Sequence, residues 1–131
     1  MPEIQYRTDD RALDPAAFIA MANQVWPGKY HAQYTKEALA RTVNITARDG
    51  EILVGCVRVL TDGYFFSTVT EILVLPEYRG QGIGRVLMEL ALEASPSSLI
   101  FGAQLEAEGF YEKIGYDRLM QSFGKRKPRR Q

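Results

Sequence analysis

The sequence predicts an α/β domain of the α+β kind, with a mixed central sheet of about six or seven strands flanked by about four helices. Most strands should be antiparallel, with one parallel pair. Three observations carry this reading. Two Asp-Gly pairs, Asp49-Gly50 and Asp62-Gly63, separate three runs rich in β-branched and aromatic residues. Glycine supplies the positive φ that tight hairpins need, so the runs form an antiparallel meander. Residues 82–94 then repeat apolar side chains at helical spacing, and a short apolar run follows. Strand, helix, strand in that order implies a parallel crossover.

The elements follow in order. Glu3–Tyr6 reads as a short edge strand. Asp14-Pro15 gives an N-cap and a first-turn proline, opening a helix to about Ala22 that Trp26-Pro27-Gly28 breaks. Thr35 is the expected N-cap of a second helix running to about Arg41. Val43–Ala47, Glu51–Leu60 and Tyr64–Leu75 are the meander strands. Pro76 stops the last of them, having no N–H for the ladder. In Gly82–Ala94 the residues Ile83, Val86, Leu87, Leu90, Ala91 and Ala94 share one face. Ser95-Pro96-Ser97 ends that helix, and Leu99–Phe101 is the short strand after it. A last helix spans about Leu105–Ile114, with Gly115 suited to its C′ position. Tyr116–Phe123 reads as a final strand.

A chain of 131 residues with 46% apolar composition is long enough for one packed core. The formal charge is zero, so the whole molecule has no general pull toward nucleic acid or an anionic membrane. Lys125, Arg126, Lys127, Arg129 and Arg130 crowd the end, so 1–124 reads as the domain and 125–131 as a basic tail. We read the tail as a solvated end, with nucleic-acid contact the weaker alternative. One cysteine, Cys56, excludes an internal disulfide and fits a small core residue better than a nucleophile. The opening Met1-Pro2-Glu3 does not resemble a signal peptide, and no stretch reaches membrane-spanning length, so a cytoplasmic protein is expected.

The stretch Pro76-Glu77-Tyr78-Arg79-Gly80-Gln81-Gly82-Ile83-Gly84-Arg85 joins a strand to the clearest helix. Glycines at every second position leave consecutive amides bare at a helix N-terminus, where free donors and the helix dipole favour phosphate. A P-loop would need Lys-Ser/Thr after its last glycine, and Arg85-Val86 stands there instead. A dinucleotide fingerprint spaces its glycines differently and sits early in a βαβ unit.

Arg79-x-x-Gly82-x-Gly84, after a strand ending in Val-Leu-Pro, resembles the signature of the GCN5-related N-acetyltransferase (GNAT) family. A second segment, Gly109-Phe110-Tyr111-Glu112-Lys113-Ile114-Gly115-Tyr116, is similar to that family's Phe-Tyr-x-x-x-Gly-Phe/Tyr motif, and the element order agrees from about Ile4 to Phe123. The resemblance implies that backbone amides of Gly80, Gln81, Gly82, Ile83, Gly84 and Arg85 hold the pyrophosphate of acetyl-CoA, with Arg79 and Arg85 beside it. It implies that the strand around Leu73 and Val74 splays from Leu99–Phe101. The pantetheine arm would then pair with exposed backbone there, and an amide near Leu73 would face the thioester oxygen. Gln104 stands where many relatives bind pantetheine through asparagine. Tyr111 matches the tyrosine that protonates the departing thiolate; a phenol with pKa near ~10 keeps its proton at neutral pH.

Some relatives carry a catalytic glutamate at the position of Leu99, so any side-chain base here lies elsewhere. Glu71, five residues before Pro76, is the candidate. The family transfers the acetyl group directly, without a covalent enzyme intermediate, and no Cys/His cluster implies a metal. The expected acceptor is a small primary amine, with an arylalkylamine the leading case. Trp26, Tyr30, His31 and Tyr34 cluster in the variable region, and Tyr64, Phe65 and Phe66 follow the second hairpin turn. By the resemblance the first four stand where relatives build the acceptor pocket, and Phe65 with its neighbours is expected to line the same mouth; the alternative, favoured for most of these aromatics, is core, helix packing or an interface between copies. A protein N-terminus or a lysine is the runner-up acceptor, and a non-catalytic acyl-CoA sensor is the rival from another class. The resemblance also raises a homodimer completed by strand exchange.

Overall fold

The computed structural model describes residues 3–128. Met1, Pro2, Arg129 and Arg130 therefore lie outside the described residues, as does the end of the basic tail. Four strands form one antiparallel sheet in chain order: β1 (Ile4–Arg7), β2 (Val43–Asp49), β3 (Ile52–Thr61) and β4 (Ser67–Val74). Four helices accompany it: α1 (Pro15–Val25), α2 (Ala32–Leu39), α3 (Ile83–Ala94) and α4 (Glu108–Lys113). Short 3-10 turns at Pro76–Tyr78 and Leu105–Ala107 precede the last two. No helix among the described residues is long and apolar enough to cross a membrane.

The Asp49-Gly50 hairpin forms as expected, with Gly50 at φ +60°. The second connection is longer. Asp62 Oδ1 accepts the N–H groups of Tyr64, Phe65 and Phe66 at 2.8–3.1 Å, and these bonds hold its carboxyl below the usual range. Tyr64–Phe66 are therefore loop, and β4 starts at Ser67 rather than Tyr64.

The sheet is narrower than the sequence suggested. In place of a fifth, parallel strand, Leu99 makes one parallel bridge to Ser67, closed by the Ile100 N–H on the Ser67 carbonyl at 3.0 Å. Leu99–Phe101 is three residues long, and no further bridge to β4 forms among the described residues. Tyr116–Phe123 has no strand partner among the described residues, and Leu119, Met120 and Phe123 are exposed. Only Tyr116 packs against the core, so the alternation of the rest has nothing to stabilise it. The expected helix 105–114 is a 3-10 turn followed by α4.

Asp14 caps α1 through the Ala16 N–H, as read from the sequence. The cap of α2 is His31, not Thr35: its Nδ1 accepts the Tyr34 N–H at 3.3 Å, which starts the helix four residues earlier. Ile83, Leu87, Met88 and Ala91 of α3 are buried against the face of the sheet that carries Gly55, and Ile45, Val54, Val57 and Leu73 are buried strand residues of the core. Leu99 belongs to that core as well.

Gly55 sets how closely α3 approaches. A Cβ there would lie 3.2 Å from the Leu73 carbonyl oxygen, 3.2 Å from Leu87 Cδ1 and 3.3 Å from Ile83 Cγ2. The backbone oxygen cannot give way as a side-chain tip can. We expect Gly55→Ala to destabilise the fold by about 1–3 kcal/mol in denaturant unfolding, despite the higher strand propensity of alanine.

Asp10, buried between α1 and the sheet edge, accepts from Thr46 Oγ1 at 2.7 Å, Arg48 Nη2 at 2.9 Å and the Ala12 N–H at 3.0 Å. Burial alone would raise its carboxyl, but the bonds from Arg48, Thr46 and Ala12 together outweigh it and the net shift is downward. A lowered folded value means stability present above the unfolded carboxylate value and lost as pH falls through the folded one. Asp10→Asn should therefore cost most stability above about pH 4, and the gap from wild type should close at lower pH in urea titrations.

Candidate active site

The turn after β4 is built around two left-handed glycines. Gly80 has φ +79° and Gly82, the N-cap residue of α3, has φ +84°. Side chains rarely tolerate this region, so glycine is required at both positions. Gly84 is different: its φ is ordinary, and a methyl there would touch the Phe110 ring at 3.4 Å. The third glycine thus lets α4 pack over the first turn of α3. Among the described residues, no acceptor takes the N–H of Gly80, Gln81 or Gly82, and nothing lies within 4 Å of a Cβ built at Gly80 or Gly82. Together with the free first-turn amides of α3, these donors form an open anion cradle. Tyr78 anchors the turn through its hydroxyl, which donates to Asp49 Oδ2 at 2.6 Å. Ile83 is buried, so its side chain is core and only its backbone belongs to the cradle. Arg85 pairs with Glu89 along α3, Nε to Oε1 3.2 Å.

The free edge of β4 adjoins this turn. The Leu75 N–H donates to the Val54 carbonyl on β3. Alternation then turns the Leu73 backbone toward β3 and those of Ile72 and Val74 outward. Leu73 contributes a buried side chain to the core. The outward Val74 carbonyl accepts from Arg79 Nε at 3.3 Å.

Glu71 lies farther down β4, beside a bulge: Arg58 opposes Glu71 and Val59 opposes Val69, leaving Thr70 as the extra residue. Such bulges re-aim side chains. Glu71 Oε1 pairs with Arg58 Nη1 at 2.5 Å. Both residues line a cleft of about 720 Å³ between β4 and the α1–α2 connection. Trp26, Tyr30, His31, Tyr34 and Gln104 line it too. The Tyr30 hydroxyl donates to the Trp26 carbonyl at 2.7 Å, and the His31 and Tyr34 rings stack at 4.0 Å. Phe65 is not part of this cleft; it is 85% exposed on the loop that Asp62 organises.

Tyr111 sits on α4, half-buried among Phe101, Phe110 and Tyr116, with its ring centroid 4.8 Å from that of Phe101. Burial, with a smaller contribution from Tyr116, pushes its phenol above the ordinary value, so it stays protonated at neutral pH. Its hydroxyl has no hydrogen-bond partner among the described residues. Cys56 is fully buried, and burial pushes its thiol up to about 12, so it is no nucleophile.

The structure therefore gathers Glu71, Gln104, Trp26, Tyr30 and His31 at one cleft. Val74, Arg79 and the glycine turn lie along an adjoining edge. It also adds Phe18, Lys29, Arg58 and Thr70 to the cleft wall, which the sequence reading did not select. Arg58 carried a signal: a cation inside the apolar run Gly55-Cys56-Val57-Arg58-Val59-Leu60 demands a partner.

A family model described as an acetyltransferase (GNAT) domain matches residues 40–118. The chain belongs to the GNAT acetyltransferase family. This GNAT domain is 35% identical over 69 residues to GCN5-related N-acetyltransferase 2, chloroplastic, of Arabidopsis thaliana, covering 50% of the chain and 27% of that relative. It thus spans only about a quarter of that relative's length. Among solved structures, it superimposes on a Staphylococcus aureus protein of unknown function with TM-score 0.79 at 20% identity, covering 97% of this chain and 99% of the other. An aminoglycoside N-acetyltransferase in complex with CoA aligns with TM-score 0.75 at 14% identity, over 97% of this chain and 96% of that one. At these identities the likeness is one of fold.

His31 acts on the GNAT domain's architecture through its cap and stack. His31→Ala should lower stability by about 0.5–2 kcal/mol in denaturant unfolding, and His31→Asn, which keeps a capping side chain, should restore most of it.

Proposed function

We propose that this chain transfers the acetyl group of acetyl-CoA directly to a small primary amine, with an arylalkylamine the leading acceptor. The observation that carries the reading is the unpartnered amides at Gly80–Gly82, continuous with the outward backbone of Ile72 and Val74 and next to a cleft that holds one carboxylate among aromatic rings.

The residues present suit such a co-substrate. The glycine turn offers donors to a diphosphate without side chains in the way. The outward groups of Ile72 and Val74 can pair with an extended amide-bearing arm as an added strand would, and an outward amide can donate to the thioester oxygen as negative charge develops. Arg79 leaves the Val74 carbonyl when that arm arrives, which frees its guanidinium for phosphate. Gln104 supplies an amide to the same arm. At the cleft, Glu71 takes one proton from the incoming ammonium, directly or through water, giving the nitrogen the lone pair that attacks the carbonyl carbon. As the C–S bond breaks, Tyr111 gives its proton to sulfur; the acylated nitrogen loses its second proton through water, which restores the phenol, and Glu71 returns the first proton to solvent. The products are the N-acetyl amine and CoA. Trp26, Tyr30, His31 and Tyr34 hold the acceptor's apolar part, and orientation supplies much of the acceleration.

A protein acceptor is the second reading. Its support is a 30% match over 69 residues to a protein named histone acetyltransferase TAP1 of Glycine max, of which this chain covers 30%.

The test is CoA release from acetyl-CoA with 2-phenylethylamine, spermidine, free amino acids, and peptides with a free N-terminus or lysine. We expect turnover with small amines, fastest for the aryl one. Glu71→Gln and Tyr111→Phe should each lower kcat by about 10²-fold while leaving acetyl-CoA affinity unchanged. Preference for the peptides would favour the protein acceptor. Binding of acetyl-CoA without turnover of any amine would favour a sensor.

A further inference from the structure

We infer that Arg58 is a positioning residue for Glu71, held in place by a one-directional hydrogen-bond chain from the end of α2. The inference rests on the acetyl-transfer reading above. Arg58 and Glu71 face each other across the β3–β4 bulge, and their side chains are 15% and 28% exposed. A pair this far from water is weak evidence of stabilisation, because desolvating two charges offsets their attraction. Its surroundings suggest another role.

The Arg58 guanidinium is fixed on three sides. Nη1 donates to Glu71 Oε1 at 2.5 Å, Nε donates to Thr42 Oγ1 at 3.4 Å, and the group lies 5.8 Å from the Phe18 ring centroid. The Thr42 hydroxyl has a single proton and two acceptors in range, Asn44 Oδ1 at 2.6 Å and the Ala38 carbonyl at 3.4 Å, and the shorter contact to Asn44 takes it. The Thr42 oxygen is thereby left as the acceptor for Arg58. Asn44 is buried and its Nδ2 donates to the Leu39 carbonyl at 2.8 Å. Donors thus run from Arg58 to Thr42 to Asn44 to the last residue of α2, the helix that carries Tyr34 on the cleft wall.

The chain freezes one rotamer of Arg58, and Arg58 freezes Glu71. One carboxylate oxygen is committed, and Oε2 has no hydrogen bond among the described residues. That oxygen is the one available to an ammonium in the cleft. The other titratable groups around the cleft, Lys29, Tyr30, His31 and Tyr34, come from the α1–α2 connection and α2, and none of them hydrogen-bonds Glu71 among the described residues.

A double-mutant cycle tests this, using saturating acetyl-CoA and the fastest amine of the panel above. Arg58→Gln should lower kcat about tenfold or more, with the acetyl-CoA Kd within about twofold, and Arg58→Lys should recover part of the loss. In the Glu71→Gln background, Arg58→Gln should cost less than about twofold. Thr42→Val, which leaves the ion pair intact, should lower kcat a few-fold in wild type and not in Glu71→Gln; it serves if Arg58→Gln fails to fold. Additive losses, or a change in KM alone, would overturn the role of Arg58 while leaving acetyl transfer standing. Wild-type protein that binds acetyl-CoA and turns over no amine would overturn acetyl transfer, and this inference with it.

Discussion

Backbone donors that no carbonyl among the described residues accepts govern the layout of this domain. A helix N-terminus always leaves several amides without intrahelical partners. At the first two helices a side chain supplies one, Asp14 for α1 and His31 for α2. At α3 the N-cap is Gly82, which has no side chain to offer; Gly80 and Gly82 are both left-handed, and the amides from Gly80 to Gly82 stay open. The unsatisfied donors sit where β4 also ends with outward backbone groups. Two sets of unpartnered backbone groups therefore meet at one place, an arrangement that suits the proposed co-substrate with its charged end and extended amide arm.

The rest of the fold holds those groups still. Gly55 lets α3 descend onto the sheet, Gly84 lets Phe110 cover the first turn, and Tyr78 ties the turn to Asp49. None of these contacts touches the proposed ligand. They hold the glycine turn, the β4 edge and α4 against one another, the rigidity that the proposed transfer between two bound substrates would need.

Legibility from sequence followed the range of the interactions. Signals within a few residues were read well: the Asp49-Gly50 turn, the Asp14-Pro15 helix start, the apolar face of α3 and the glycine turn. Readings that depended on a distant partner were less secure. Leu99–Phe101 has strand composition, yet only one bridge to Ser67 forms, and Tyr116–Phe123 has no partner to order it. Thr35 was a sound local cap, but His31 captured the Tyr34 amide one turn earlier. The glycine motif and Tyr111 were picked out because they sit in local patterns; the glycine turn is left-handed as such a motif requires, and Tyr111 is half-buried on α4 outside the cleft wall. Arg58 was overlooked because its meaning comes from Glu71, thirteen residues away across a bulge. Phe65 looked like a pocket residue by composition, and its position off the cleft is set by three amides bound to Asp62.

The anion cradle is the part of the account on which the cofactor, the direction of transfer and the role of Tyr111 all depend. Amide resonances of ¹⁵N-labelled protein, followed during addition of CoA, examine it at the level of single N–H groups. The account predicts saturable shifts at Gly80, Gln81, Gly82, Ile83, Gly84 and Arg85, with the outward amides of Ile72 and Val74 moving in the same titration. Unmoved resonances in that turn at saturating CoA, or shifts confined to another face, would contradict it.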